Sequence, residues 1–278
     1  MTNRVRADEL SKKGNPMNEA SGLKASGVSK VFSTPTGELL ALDNVSIDIP
    51  RGQFVSIIGP SGCGKSTLLR MFADLEHPSS GELLVNGMPT GEARTKRQYA
   101  MVFQAPTLLP WKNVLKNVAL PLKIMGTDSA TRLETAREML KLVGLEGFEN
   151  QLPWQLSGGM QQRVSIARAL TVRPPALLMD EPFGALDEIT RDRMNLELVS
   201  LRRFDSQTVL FITHSISEAV FLSDRVLVMS ARPGKVIADI TIDLPEDRTA
   251  DTRQDPKFFE YVSDIRGYLV DAYNTTAR

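Results

Sequence analysis

Cysteine is almost missing from this 278-residue chain: Cys63 is the only one. No internal disulfide can form, which suits a reducing compartment such as the cytosol. Charge of one sign is missing too. The 33 Lys and Arg residues balance 33 Asp and Glu, so no overall basic field draws in nucleic acid. No apolar run approaches the ~18 residues of a membrane-spanning helix. The charges near the N-terminus are not followed by the apolar core of a secretory signal. Internal repeats and low-complexity tracts are absent. What remains is an ordinary globular composition, long enough for one large domain or two modest ones. Residues 1–21 are polar and are expected to be disordered, with Met17 a second candidate start.

One stretch organises the rest. Gly59, Pro60, Ser61, Gly62, Cys63, Gly64, Lys65, Ser66 and Thr67 fit G-x-x-x-x-G-K-[ST] at every fixed position. A short apolar strand, 53–58, precedes it and a helix opens at Thr67. Glycines let backbone N–H groups curl around an anion, and the new helix adds its free N–H groups and positive dipole end. Lys65 can reach the β- and γ-phosphates, and the Ser66 hydroxyl can ligate Mg²⁺. This predicts ATP or GTP binding. Cys63 reads as a small residue that fits the loop, not a nucleophile, and an alkylating reagent there is expected to block the site.

The remaining pattern alternates strands and helices. Val45, Ile47 and Ile49 alternate with Ser46 and Asp48, the mark of a half-buried strand. Asn86-Gly87 signals a hairpin. Strands are predicted at 99–103, 176–179 and 208–212, and helices at 190–203 and 217–222. Leu133, Ala136, Met139, Leu140 and Val143 recur with helical spacing, so residues 105 to about 156 read as a helical insertion. The fold class is α/β, with a mainly parallel sheet covered on both faces. In such sheets ligands sit beyond the carboxyl ends of the strands. The phosphate loop, Gln104, Asp180-Glu181 and His214 each follow such an end, so they face one crevice.

Roles follow from chemistry. Asp180 suits an acid that holds Mg²⁺ through water. Glu181, one residue further, can polarise the attacking water as general base. Either carboxylate alone could merely cap a strand. His214, one of two histidines, stands at a strand end opposite the phosphates and reads as functional. Gln104 could ligate Mg²⁺ and sense the γ-phosphate. Ser157, Gly158 and Gly159 form a second glycine turn that opens a helix, 161–170, with Ser157 as N-cap; it suits phosphate or is an ordinary cap. Phe32 reads, from residue type alone, as a core residue.

These motifs together, with Gly184 to Asp187, resemble in order and spacing the ATP-binding cassette (ABC) ATPases, over residues 23 to 240. They look like that family's Walker A, Q-loop, signature, Walker B, D-loop and H-loop. The signature reads LSGGM where LSGGQ is commoner, with Ser157, Gly158 and Gly159 intact. The resemblance implies a P-loop NTPase (RecA-like) core with an N-terminal antiparallel β portion and a helical subdomain at about 105–160, inside a cassette of residues 22–243. It puts Phe32 on the adenine ring, which reverses the core assignment and favours ATP, with Mg²⁺. Asp187 joins the nucleotide set, and Lys65, Glu181 and His214 the catalytic set. Two chains are implied to pair head to tail, each ATP lying between Lys65 of one and Ser157 of the other.

Narrower wording, at 102–111, 153–156, 180–187 and 228–234, resembles the nitrate/sulfonate/taurine group of bacterial importer ATPases, which includes relatives serving pyrimidine-type thiamine precursors and riboflavin. Such subunits sit peripherally on the cytoplasmic face of the inner membrane, bound to a separate permease, with an extracytoplasmic binding protein outside. Leu108, Leu109 and Trp111, just after Gln104, are expected to line a groove for a cytoplasmic helix of the permease. Residues 244–278 form a tail ending in an amphipathic helix (Phe258, Tyr261, Val262, Ile265, Tyr268, Leu269), too short for the β-barrel regulatory domain of sugar importers. The alternatives are a soluble ABC ATPase acting on nucleic acid or ribosomes, and an exporter or lipoprotein-release ATPase. The first usually shows paired cassettes, a long coiled-coil insertion or basic patches, and none is visible.

Overall fold

A computed structural model describes residues 21–35, 37–204 and 207–274. Most of the expected disordered extension lies outside the described residues; Ser21, its last member, begins a strand. The chain opens with β1 (Ser21–Thr34), β2 (Gly37–Pro50), β3 (Phe54–Ile58) and α1 (Lys65–Phe72). It continues through β4 (Ser80–Val85), β5 (Met88–Pro89), α2 (Thr90–Thr95) and β6 (Tyr99–Val102). Four helices follow: α3 (Val114–Val118), α4 (Leu120–Ile124), α5 (Ser129–Leu142) and α6 (Gly158–Leu170). Then come β7 (Ala176–Asp180), α7 (Glu188–Phe204), β8 (Thr208–Ile212) and α8 (Ile216–Leu222). The last elements are β9 (Arg225–Met229), β10 (Val236–Thr241) and α9 (Pro256–Asn274).

Two sheets result. The first is antiparallel, in the order β2-β1-β4-β5. Its β4–β5 hairpin turns at Asn86-Gly87, both with positive φ (51° and 77°), as a two-residue primed turn requires. The second runs β10-β9-β3-β8-β7-β6. All its neighbours pair in parallel except the edge strand β10.

The short strands β3, β7 and β8 are buried along their whole length, because side chains alternate between two cores. Phe54, Met179 and Phe211 face one cluster with α3, α5, α6, α8 and α9. Val55, Leu178 and Leu210 face the other, with α1 and the antiparallel sheet. Each such fully buried side chain contributes about 1.5–3 kcal/mol.

The predicted helices exist, with earlier starts. α1 begins at Lys65 rather than Thr67, because Gly64 takes a left-handed conformation at its N-cap. α6 begins at Gly158 with the Ser157 hydroxyl accepting from Met160 N. In α9, Phe258 and Ile265 are buried against the core as expected, but Tyr268 is 44 % exposed. The tail is tied in by Arg248. It donates to the carbonyls of Phe221 (2.6 Å) and Ser223 (2.7 Å), which closes the C-terminal end of α8.

Candidate active site

The phosphate loop joins the end of β3 to α1. A Cβ on Gly64 would lie 2.6 Å from Leu42 Cδ2, and its φ is 104°, so no other residue fits. Lys65 is 6 % exposed. Its Nζ donates to the carbonyls of Gly59 (2.8 Å) and Pro60 (3.0 Å), which folds the ammonium over the loop. Beside it opens a cavity of about 310 Å³. Ser61, Gly62, Gly64, Lys65, Ser66 and Thr67 of the loop line it, together with Phe32, Ala41, Gln104 and Glu181. Phe32 therefore does not fill the core, as residue type alone suggested. It stands on the cavity wall, where a flat ring can stack.

The strand-end carboxylates differ. Asp180 is buried, and Ser66 Oγ donates to its Oδ1 at 2.8 Å. Burial pushes its carboxyl above the usual range; the Ser66 bond opposes this and the Glu181 charge adds to it. Hydroxyl, carboxylate and amide oxygens suit a hard cation such as Mg²⁺, which takes few protein ligands beside phosphate and water. Gln104 uses its NH₂ on Glu181 Oε2 (3.4 Å), so a cation would take its carbonyl oxygen. Glu181 sits at φ 45°, a conformation that costs a glutamate on the order of 1–3 kcal/mol and clusters at functional sites. Its N–H donates to Ile212 O at 3.0 Å, which fixes the turn. His214 Nδ1 lies 3.4 Å from Glu181 Oε2. The side chains of Gln104 and His214 thus converge on one carboxylate.

Other expected members are not on this cavity's wall. Gly59, Pro60 and Cys63, though part of the loop, do not line the cavity. Cys63 is buried, and burial raises its thiol while Lys65 opposes the shift; ready alkylation there is not what the structure supports. Asp187 caps α7, accepting from Thr190 N (2.9 Å) and Thr190 Oγ1 (2.7 Å). Ser157 and Gly158 are exposed on the surface. Gly159 packs on the D-loop turn, where a Cβ would lie 3.2 Å from Leu186 Cδ2.

Three lining residues, Leu39, Ala41 and Arg232, were missed. Arg232 donates to Gly62 O at 2.9 and 3.2 Å from the loop after β9. The Arg-Pro-Gly wording at 232–234 was visible, but a contact across the fold was not. The segment carrying Leu108, Leu109 and Trp111, expected to receive a permease helix, is partly open. Trp111 is 72 % exposed and Leu108 packs partly on the core. Asn117 fixes this turn, accepting from Leu109 N and donating to the carbonyls of Leu109 and Lys112. A cavity of about 300 Å³ opens beside it, lined by Tyr99, Met101, Pro121, Ile124, Met125 and Arg168 among others. Arg168 also donates to the carbonyls of Pro106 and Thr107.

A strand, a glycine loop closing on a lysine, and an acid pair ending a parallel strand of the same sheet, one strand away, define a P-loop nucleoside triphosphatase. The family model described as ABC transporter matches residues 42–184. The taurine import ATP-binding protein TauB of Rhizobium johnstonii is 47 % identical over 253 residues, 89 % of this chain and 96 % of that protein. The nitrate import ATP-binding protein NrtD of a Synechocystis species is 43 % identical over 253 residues, 89 % of this chain and 94 % of its own. Among solved structures, a dimeric post-hydrolysis state of the cassette MJ0796 bound to ADP and Pi has a TM-score of 0.74 and 37 % identity. It covers 79 % of this chain and 98 % of that one. The chain belongs to the ABC transporter family and is one of its ATP-binding, ATP-hydrolysing subunits.

Proposed function

We propose that this chain energises a bacterial importer. It would couple ATP binding and hydrolysis to uptake of a small solute, of the nitrate, sulfonate or taurine kind or a pyrimidine or vitamin precursor. The observation that carries the chemistry is the Glu181 carboxylate, which lines the phosphate cavity and lies 3.4 Å from both Gln104 Nε2 and His214 Nδ1.

Phe32 stacks on the adenine and the phosphate loop cradles the phosphates. Lys65 leaves its loop carbonyls for the β- and γ-phosphates. Ser66, Asp180 and Gln104 hold Mg²⁺, which supplies charge neutralisation on the phosphates. Glu181 polarises water toward the γ-phosphorus, and His214 orients Glu181 and the departing phosphate. Ser157, Gly158 and Gly159 lie off the cavity within their own chain, which supports a head-to-tail homodimer in which the partner's signature closes each site. Asp187 then acts by shaping that interface. The cassette spans 22–243, its helical subdomain about 105–160, and 244–278 form the tail.

No helix among the described residues is long and apolar enough to cross a membrane. The chain binds peripherally, at the cytoplasmic face, to a separate permease that in turn meets an extracytoplasmic binding protein. The contact is the Gln104–Trp111 segment together with the adjoining groove at Ile124 and Met125, both exposed. Arg168 supports this reading, because it lines the groove and bonds the backbone two and three residues beyond Gln104.

The test is co-purification of tagged chain from detergent-solubilised membranes. Wild type should bring down a polytopic permease, and Met125→Asp or Trp111→Ala should release it with ATP binding kept. Recovery of ribosomes or nucleic acid and no permease would favour the soluble ABC ATPase reading.

A further inference from the structure

A second layer of polar residues stands behind Glu181 and His214. Glu218, on α8, is 5 % exposed. Thr213 Oγ1 donates to its Oε2 at 2.6 Å. Arg191 Nε, on α7, lies 3.4 Å from its Oε1. Arg191 Nη2 also donates to Leu186 O at 3.0 Å. Glu218 therefore touches two turns at once. One is Thr213–His214, whose histidine meets Glu181. The other, through Arg191, is the turn ending at Asp187, against which Gly159 packs.

A buried carboxylate is costly unless its charge and lone pairs are met. Burial pushes the Glu218 carboxyl above the usual range; Thr213 and then Arg191 oppose that shift. The space enclosed by Glu181, Arg191, Thr213, His214 and Glu218 is too small for a water molecule. No water therefore separates these groups, which pack directly on one another. The tail braces the same two helices. Arg253 pairs with Asp192 of α7 and lies over the Phe221 ring of α8, 4.6 Å from its centre.

We propose that Glu218 is a positioning residue for hydrolysis. Its carboxylate locks the Thr213–His214 turn to the Leu186–Asp187 turn through Arg191, so His214 meets Glu181 only when the D-loop turn is seated. A partner chain that seats the D-loop would thereby assemble the hydrolytic pair. This rests on the reading of Glu181 and His214 as the hydrolytic groups.

The test compares full-length, purified variants for kcat, KM for MgATP, ATP affinity and Tm. Glu218→Gln keeps the shape and removes the charge. It should lower kcat about tenfold while KM and affinity stay within about twofold. Thr213→Val and Arg191→Met should each do the same, and Thr213→Ser, which keeps the donor, should restore wild-type kcat. Thr213 and Arg191 both act through Glu218, so the double variant should lose no more than the worse single one.

Four results would overturn the proposal. They are multiplying losses, an unchanged kcat in Glu218→Gln, a fall in Tm alone, and no rescue by Thr213→Ser. Glu181→Gln separates the two ideas. If it is inactive while Glu218→Gln is normal, only the positioning role fails. If it turns over normally, the reading of the site fails and the positioning role with it.

Discussion

Glutamine at position 181 keeps the size of the side chain and an oxygen for the Gln104 NH₂ bond, and removes the carboxylate proposed as general base. The backbone there stays at φ 45°, and glutamine meets the same strain as glutamate, so the fold should be unaffected. A positioned general base contributes roughly 10²–10⁴ in rate, about 3–5 kcal/mol of barrier. Glu181→Gln should therefore lower kcat by about two to four orders of magnitude. Binding should go the other way. The Glu181 charge is one cause of the raised Asp180 carboxyl. Removing it moves Asp180 back toward the ordinary range and favours the ionised form that a cation needs. Phosphate release under MgATP, beside equilibrium binding of labelled ATP, reads both. The expected result is retained or tighter MgATP binding with very slow turnover. Near-normal turnover would refute Glu181 as base. Loss of binding together with turnover would instead make Glu181 part of the nucleotide support.

Site sharing can be read from purified heterodimers by trapped nucleotide per dimer. Lys65→Ala paired with Ser157→Arg should trap one nucleotide, and wild type paired with the double variant should trap none. The reverse pattern would reject the shared site. Cys63 should alkylate slowly at neutral pH. Its thiol is buried and raised, so the thiolate fraction, and with it the rate, should climb only at pH above the ordinary thiol range. Once modified, the loop should no longer bind ATP. Fast labelling at pH 7, measured by mass spectrometry, would contradict the burial.

The phosphate loop was legible because its chemistry is local. Glycines at fixed spacing, a lysine one residue past the last of them and a strand before it dictate backbone N–H groups around an anion wherever the rest of the chain goes. The Asn86-Gly87 hairpin and the Val45–Ile49 alternation are local in the same way, and both are seen. Asp180 and Glu181 were legible because a parallel sheet sends its strand ends to one edge.

Only the tertiary structure decided which side chains meet there. It put Phe32 on the cavity lining, where the family resemblance, not residue type, had placed it, and gave Asp187 a helix cap. It opened a cavity at Ile124 and Met125 beside the 104–111 segment, and brought Arg232 onto Gly62 from 170 residues away. It also set Arg191 of α7 against the buried Glu218 of α8, a contact that no spacing encodes. Such pairings depend on how helices and strands distant in sequence pack. A residue's own neighbours in the chain fix its backbone, but its partners across the core are set by packing that fills space only once the whole domain has closed.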